Sequence, residues 1–120
     1  MIKSFTDLKV WQESHKLSLE IYKITKKFPS DEVYGLSSQM RRCSVSVTSN
    51  LAEGFGRSSS KDREHFYVMS DGSLYELKSQ LILAKDLRYI NKDQFEAIAK
   101  ITNDAHKLLH GLLRSHKSNV

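Results

Sequence analysis

Two histidines, His106 and His110, stand four residues apart in a segment with helical spacing, so both rings can point from one helix face toward a metal ion. A zinc site needs at least three protein ligands. Neither a third histidine nor a Glu-x-x-His pair lies at helical spacing to complete the set. The sequence therefore predicts no metal site, and nothing in it indicates a cofactor.

Some helical-bundle ribonucleases use an arginine and a histidine separated by four to six residues, and this chain has no such pair. The nearest candidates, Arg57 and His65, have seven residues between them, and Arg63 stands too close to His65. No serine, histidine and acid set can be named from spacing. Gly54-Phe55-Gly56 follows a helical segment rather than a strand, which is typical of a helix end and not of a phosphate-binding loop. We predict that the chain is not an enzyme.

Basic residues outnumber acidic ones, 19 to 14, and the formal charge of +5 favours anionic partners such as nucleic acid. Five side chains are candidate phosphate contacts: Arg41, Arg42, Arg57, Lys61 and Arg63. A polar stripe beside the apolar face of the second helical segment offers a structural alternative. In that alternative a hydrogen-bonded network fixes helix register, with Arg41 or Arg42 paired to Glu53 or Glu76. The network residues are Gln39, Asn50, Glu53 and Glu76.

Four helical segments must position these residues, because one proline and five glycines in 120 residues argue against a turn-rich β protein. Apolar side chains recur at three- and four-residue spacing over about 6–27, 36–54, 60–88 and 91–114. Short polar links between helices of similar length favour antiparallel neighbours. The sequence predicts one all-α domain over residues 1–120, an antiparallel up-down-up-down four-helix bundle with a frayed tail at 115–120.

The first helix has a second apolar stripe, about 140° from the one that faces the predicted core. Its residues are Leu8, Trp11, His15, Leu19 and Tyr22. Either this stripe widens the core, or it meets another subunit, since aromatic side chains outside a core are enriched at interfaces. Val45, Val68 and Leu83 also fall outside the main stripes, which favours self-association. Gly72, inside the third helix, suggests that another helix approaches closely there.

Features of the sequence indicate the cellular compartment of the protein. The first ten residues do not resemble a signal peptide, and no apolar run is long enough to cross a membrane. Cys43 is the single cysteine and lies among apolar neighbours, as in a reduced compartment. We expect a cytoplasmic protein with no membrane partner.

Four segments resemble a known family, the bacterial four-helix-bundle proteins encoded in intervening sequences of 23S ribosomal RNA genes. They are FTDLKVW (5–11), YGLSSQMRR (34–42), SVTSNLAEGFG (46–56) and GSLYEL (72–77). The family often has a proline where this chain has Thr48, so a smoother second helix is expected. The family motif positions match Gln39, Arg41, Arg42, Asn50, Glu53, Gly54, Gly72, Ser73 and Glu76.

The resemblance implies a ring of five subunits with a central pore. It also implies kinship with the accessory variability determinant proteins of diversity-generating retroelements, basic pentameric barrels that bind nucleic acid and a reverse transcriptase. We therefore expect a non-enzymatic homopentamer that binds RNA or DNA, with a reverse transcriptase as partner if the gene lies in a retroelement. The alternative is a protein-interaction scaffold or accessory subunit without nucleic-acid binding. A third possibility is a passenger of a mobile element with little activity of its own.

Overall fold

The computed structural model describes residues 1–118, with side chains described through His116, and within this range it contains four α-helices and no strand. The helices are α1 (Lys9–Thr25), α2 (Leu36–Phe55), α3 (Ser60–Asp86) and α4 (Lys92–Ser118). Two short 3-10 turns, Phe5–Asp7 and Ser30–Glu32, precede α1 and α2. The all-α four-helix bundle predicted from the sequence is confirmed.

Each helix packs against two others, in the order α1, α2, α3, α4 and back to α1. Consecutive helices are neighbours joined by short connections, which makes them antiparallel. The bundle measures 45 × 25 × 21 Å, so its long axis matches the roughly 40 Å expected of a 27-residue helix. Within the described residues α1 and α3 do not pack against each other, because they occupy diagonal corners of the bundle.

The predicted apolar stripes form the core. The buried side chains on α1, and just after it, are Val10, Leu17, Ile21, Ile24 and Phe28. On α2 they are Leu36, Met40, Cys43, Val47 and Leu51, and on α3 Leu74, Leu77, Leu81 and Ala84. Ile98, Ala105 and Leu109 complete the core from α4. Tyr67 is also buried, although the stripe predicted for α3 began at Phe66, which is only partly covered.

Helix ends differ from the predicted bounds where local hydrogen bonds decide them. A capping box between Ser4 and Asp7 closes the first 3-10 turn, so α1 begins at Lys9 rather than near Thr6. Ser59 caps α3, since its Oγ accepts a hydrogen bond from the Asp62 amide at 3.1 Å. A capping box also stands at the start of α4, where Asn91 and Gln94 make two reciprocal bonds of 2.8 Å.

The fraying predicted from Ser115 stays a prediction, while the helix α4 itself continues to Ser118. The ring of His116 holds this last part, since its Nε2 lies 2.6 Å from the Ser60 carbonyl oxygen. The same ring packs edge-on against Tyr67 at 6.0 Å. The last two residues of the predicted tail, 119–120, lie outside the described residues.

Gly56 caps the end of α2, as expected from Gly54-Phe55-Gly56, but Gly54 is not itself that end. It lies inside α2, is buried, and no glycine in the described chain has positive φ. A Cβ at this position would lie 2.7 Å from Cε1 of Tyr67 and 3.0 Å from Cβ of Phe66. The glycine therefore allows α2 and α3 to approach each other closely.

Gly54→Ala is expected to destabilise the bundle by about 1–3 kcal/mol, because the added methyl group overlaps Tyr67 in a packed core. Gly111→Ala is the matched control inside α4. Its Cβ would make only an ordinary van der Waals contact, 3.9 Å from Arg114 Nη2, so it should stabilise α4 by roughly 0.5–1 kcal/mol. Urea unfolding followed by circular dichroism measures both. Equal stability of the two variants would contradict the close-packing role of Gly54.

Candidate functional site

The second stripe of α1 divides between core and surface. Leu8 is buried in the bundle, so within one chain it is a core residue rather than part of an exposed face. Trp11 is half-buried, with Phe5 edge-on to it at 5.3 Å and His15 stacked on it at 4.8 Å. Leu19 and Tyr22 remain 58% and 40% exposed. We call Trp11, His15, Leu19 and Tyr22 the α1 face.

A second exposed apolar surface lies on α3. Val68, Tyr75 and Ile82 repeat every seven residues and are each about half exposed, at 50%, 56% and 50%. Gly72 lies between them on the same side of the helix. The close approach of another helix expected at Gly72 is not seen within the described residues, because a Cβ at this position would meet nothing within 4 Å. We call these four residues the α3 face. Tyr75 and Ile82 were not predicted to be part of it, although their seven-residue spacing from Val68 in the sequence was the signal that could have identified them.

A polar network links α2 and α3, and it is built from Asn50 and hydroxyl groups rather than from arginines. Asn50 Nδ2 donates to the Ser46 carbonyl oxygen at 2.9 Å and to Ser46 Oγ at 3.1 Å. Ser46 Oγ in turn lies 2.9 Å from Ser73 Oγ, and the Cys43 thiol donates to the Ser73 carbonyl oxygen at 3.0 Å. Burial, followed by a hydrogen bond to Glu76, raises the pKa of Cys43, so its thiol stays protonated at neutral pH.

The expected pairing of Arg41 or Arg42 with Glu53 or Glu76 is wrong. Arg41 turns toward α1 instead, where its Nε donates to Thr25 Oγ1 at 2.8 Å and its guanidinium lies 4.7 Å from the centre of the Tyr22 ring. Glu53 pairs with Arg57 one helical turn away, at 3.0 Å. The remaining network residues, Gln39 and Glu76, line a shallow groove between α2 and α3 that Arg42 also borders.

A groove of about 660 Å³ opens where α1 ends and α2 begins. Three cationic side chains line it, those of Lys26, Arg41 and Arg42, and no carboxylate is among the residues that line it. Its other lining residues are Tyr22, Thr25, Phe28, Pro29, Ser30, Val33, Ser37, Ser38 and Val45. We call this the basic groove. The sequence named two of its three cations and missed Lys26, which only the packing of α1 on α2 brings beside them.

Glu32 fixes the connection beside the basic groove. Its Oε1 accepts a hydrogen bond from the Leu36 amide at 3.0 Å, and its Oε2 accepts one from the Tyr89 hydroxyl at 2.7 Å. These two bonds, the first more than the second, lower the pKa of Glu32. The carboxylate is thus ionised at neutral pH, and it holds the start of α2 against the chain that follows α3.

The other three predicted phosphate contacts lie at the opposite end of α2, since Arg42 and Arg57 are separated by roughly 22 Å of helix. Arg63 has a structural role there, because its Nη1 donates to the carbonyl oxygens of Arg57 and Ser58 at 2.8 and 3.2 Å. Arg57 lies over the Phe66 ring at 4.8 Å, and Lys61 is exposed. The five residues therefore form two separate groups rather than one surface.

Comparison with known proteins identifies the family of the chain. The family model described as "23S rRNA-intervening sequence protein" matches residues 6–111, nearly the whole bundle. The chain belongs to the 23S rRNA-intervening sequence protein family. The resemblance seen in the sequence is thereby confirmed for this family, whose function is unknown. The kinship with retroelement accessory proteins stays a prediction.

A solved structure has the same fold as this 23S rRNA-intervening sequence protein. It is the crystal structure of a protein of unknown function, from the S23 ribosomal protein family of Bacteroides thetaiotaomicron. The two chains are 22% identical and superpose with a TM-score of 0.81, over 88% of this chain and 95% of the other. No curated protein matches the sequence. Within residues 1–118, none of the helices combines the length and the hydrophobicity that a membrane crossing requires.

One aspartate and two histidines form a cluster in this 23S rRNA-intervening sequence protein. Asp71 on α3 faces the two histidines of α4, with its Oδ1 2.6 Å from His106 Nε2 and 2.8 Å from His110 Nε2. The sequence pointed to no third ligand, but Asp71 supplies a candidate one in space, since three possible ligand atoms lie within 4.8 Å of one another. Burial lowers the pKa of His106 more than the hydrogen bond to Asp71 raises it, so that ring is neutral at pH 7.

Proposed function

We propose that this protein is a non-enzymatic, cytoplasmic homo-oligomer that binds RNA or DNA phosphates in its basic groove. One observation supports this above all. Lys26, Arg41 and Arg42 line a single groove, and no carboxylate is among its lining residues. Arginine binds phosphate through two parallel hydrogen bonds, and lysine adds a mobile point charge. The exposed Arg42 is free to make such contacts, whereas Arg41 is held by Thr25 and contributes its charge from a fixed position.

Self-assembly is supported by the two apolar faces. The α1 face and the α3 face differ in residues and lie on diagonal helices, so each points away from the other. A contact between unlike faces is heterologous, and when its rotation closes it produces a ring. The family resemblance implies five subunits in that ring. Gly72 is consistent with such a contact, because a glycine in an exposed helix lets a neighbouring chain come close.

The binding experiment uses a fluorescein-labelled RNA hairpin and a DNA duplex, titrated with protein at about 50 mM salt and followed by fluorescence anisotropy. The variant combines Lys26→Ala and Arg42→Ala, which removes two groove charges and leaves the structural Arg41 in place. Loss of two phosphate contacts should weaken binding by at least about tenfold.

The matched control combines Lys92→Ala and Lys107→Ala, two exposed lysines of α4 outside the groove. It should bind within about twofold of the unchanged protein, since it lowers the net charge equally but leaves the groove intact. Equal weakening of both double variants would reject the groove as the binding site. An absence of binding at low salt would reject nucleic-acid binding altogether.

The second candidate function is a protein-interaction scaffold, which the exposed apolar side chains favour. Tyr34, beside the basic groove in sequence, is 97% exposed, an unusual state for an aromatic ring with no partner to contact. A reverse transcriptase is the expected partner where the gene lies beside one. A pull-down from nuclease-treated host lysate separates the two functions, since a scaffold keeps its partner when nucleic acid is removed.

A further inference from the structure

We infer that Asp71, His106 and His110 form a binding site for a divalent transition-metal ion, with Zn²⁺ as the best match. The two histidines lie one helical turn apart on α4, and both direct Nε2 at the same carboxylate oxygen of α3. Two imidazoles and one carboxylate are a ligand set that zinc accepts. The site is independent of the basic groove and of the proposed nucleic-acid binding.

The distances suit a metal ion after a small movement. Zinc binds imidazole nitrogen and carboxylate oxygen at about 2.0–2.2 Å, so tetrahedral ligand atoms stand roughly 3.3 Å apart. The present Nε2–Oδ1 distances of 2.6 and 2.8 Å therefore need to increase by about 0.5–0.7 Å, and the two imidazole nitrogens, which lie within 4.8 Å of each other, need to reach about the same separation. The fourth position faces solvent beside His110, which is 40% exposed along its side chain, and a water molecule can fill it.

The burial of His106 argues that the cluster is more than a surface hydrogen bond. Its side chain is only 4% exposed, and its Nδ1 has no hydrogen-bond partner within the described residues. An imidazole that is buried with one unpaired nitrogen is unfavourable on stability grounds alone. Tyr75 packs edge-on against the ring at 4.3 Å and holds its Nε2 toward Asp71. The orientation is thus fixed before any ion arrives.

Two features of the surroundings limit the affinity. Metal-bound histidines normally donate their second nitrogen to a partner, and loss of that partner weakens binding about 10- to 100-fold. His106 Nδ1 lacks one. Lys78 also faces the cluster, since its charge contributes to lowering the pKa of His106, and it repels a cation. The site is therefore expected to bind more weakly than the closed four-ligand sites of zinc fingers.

The test is isothermal titration calorimetry of the full-length protein with ZnCl₂ at pH 7.5. The visible absorption spectrum of the protein with Co²⁺ in place of Zn²⁺ supports it. One ion per chain is expected, with the absorption bands of tetrahedral cobalt. His110→Ala and Asp71→Asn should each weaken binding by at least about tenfold, because removal of a ligand exceeds the effect of an outer partner. His110 is partly exposed, so its replacement should leave the fold intact.

His65→Ala is the matched control, because His65 is an exposed histidine on α3 outside the cluster. It should bind zinc like the unchanged protein. The inference is overturned if the Kd for zinc is larger than about 1 mM, which corresponds to weak binding. It is overturned equally if His65→Ala reduces binding as much as His110→Ala does. Circular dichroism of each variant verifies that loss of binding does not reflect unfolding.

Discussion

Raising the salt concentration from about 50 to 200 mM is expected to weaken binding of a short oligonucleotide by roughly 20- to 40-fold. The three cations of the basic groove would displace three phosphate counterions. Each displaced ion contributes a slope of about −0.7 for single strands or −0.9 for duplex DNA to the dependence of log K on log salt. Three such contributions over a fourfold salt change give this range.

Anisotropy titrations at five salt concentrations measure the slope, with an oligonucleotide of about six nucleotides so that one groove is engaged at a time. A slope between about −2 and −3 is expected for the unchanged protein. Lys26→Ala should reduce its magnitude by about one, while Lys107→Ala, on α4 and outside the groove, should not alter it. A slope near zero would show that the groove charges make no phosphate contacts.

Replacing Leu19 by glutamate is expected to dissociate the assembly completely. The unchanged protein should have a mass of about 69 kDa, five times the 13.8 kDa of one chain, and Leu19→Glu should leave 13.8 kDa. Leu19 is 58% exposed on the α1 face, against 40% for Tyr22, and an unpaired carboxylate buried in an apolar contact costs several kcal/mol. Light scattering coupled to size exclusion measures both masses. Lys23→Gln, an equal charge change on an exposed part of α1, should remain assembled.

A mixing experiment distinguishes a ring of unlike contacts from a symmetric dimer. Val68→Glu disables the α3 face in the same way, and alone it should also be monomeric. In a ring, an equimolar mixture of Leu19→Glu and Val68→Glu retains one intact contact, so it should stop at a dimer of about 28 kDa. Assembly of Val68→Glu by itself would instead indicate a symmetric contact through α1. A mass of 13.8 kDa for the unchanged protein would contradict self-assembly altogether.

Most of the fold could be predicted from the sequence because its main signal is local. A helix repeats every 3.6 residues, so residues such as Leu17, Ile21 and Ile24 identify their buried side without knowledge of any other segment. The same argument failed for Leu8, because the capping box ahead of α1 changes the direction of the chain there. Helix ends depend on individual hydrogen bonds, which periodicity does not describe.

The candidate sites were harder to predict because they depend on how helices are placed against one another. Asp71 and His106 are 35 residues apart, and they meet only because α3 and α4 pack antiparallel in one particular register. Lys26 joins the basic groove for the same reason across α1 and α2. Charge alone also could not separate the anchored Arg41 and Arg63 from the exposed Arg42. The subunit number and the nucleic-acid partner stay predictions.

The diagonal placement of α1 and α3 has a consequence for avidity. If both of those helices are occupied by neighbouring chains, α2 and α4 are left to form the inner and outer walls of the closed assembly. The basic grooves of successive subunits then lie around the circumference of the ring, and neighbouring grooves are about one bundle width, 21–25 Å, apart. A strand long enough to reach two copies gains an effective local concentration that a six-nucleotide fragment lacks, and its affinity can rise by about 10²- to 10⁴-fold. Length selectivity would thus come from multivalency, without any contact to a base.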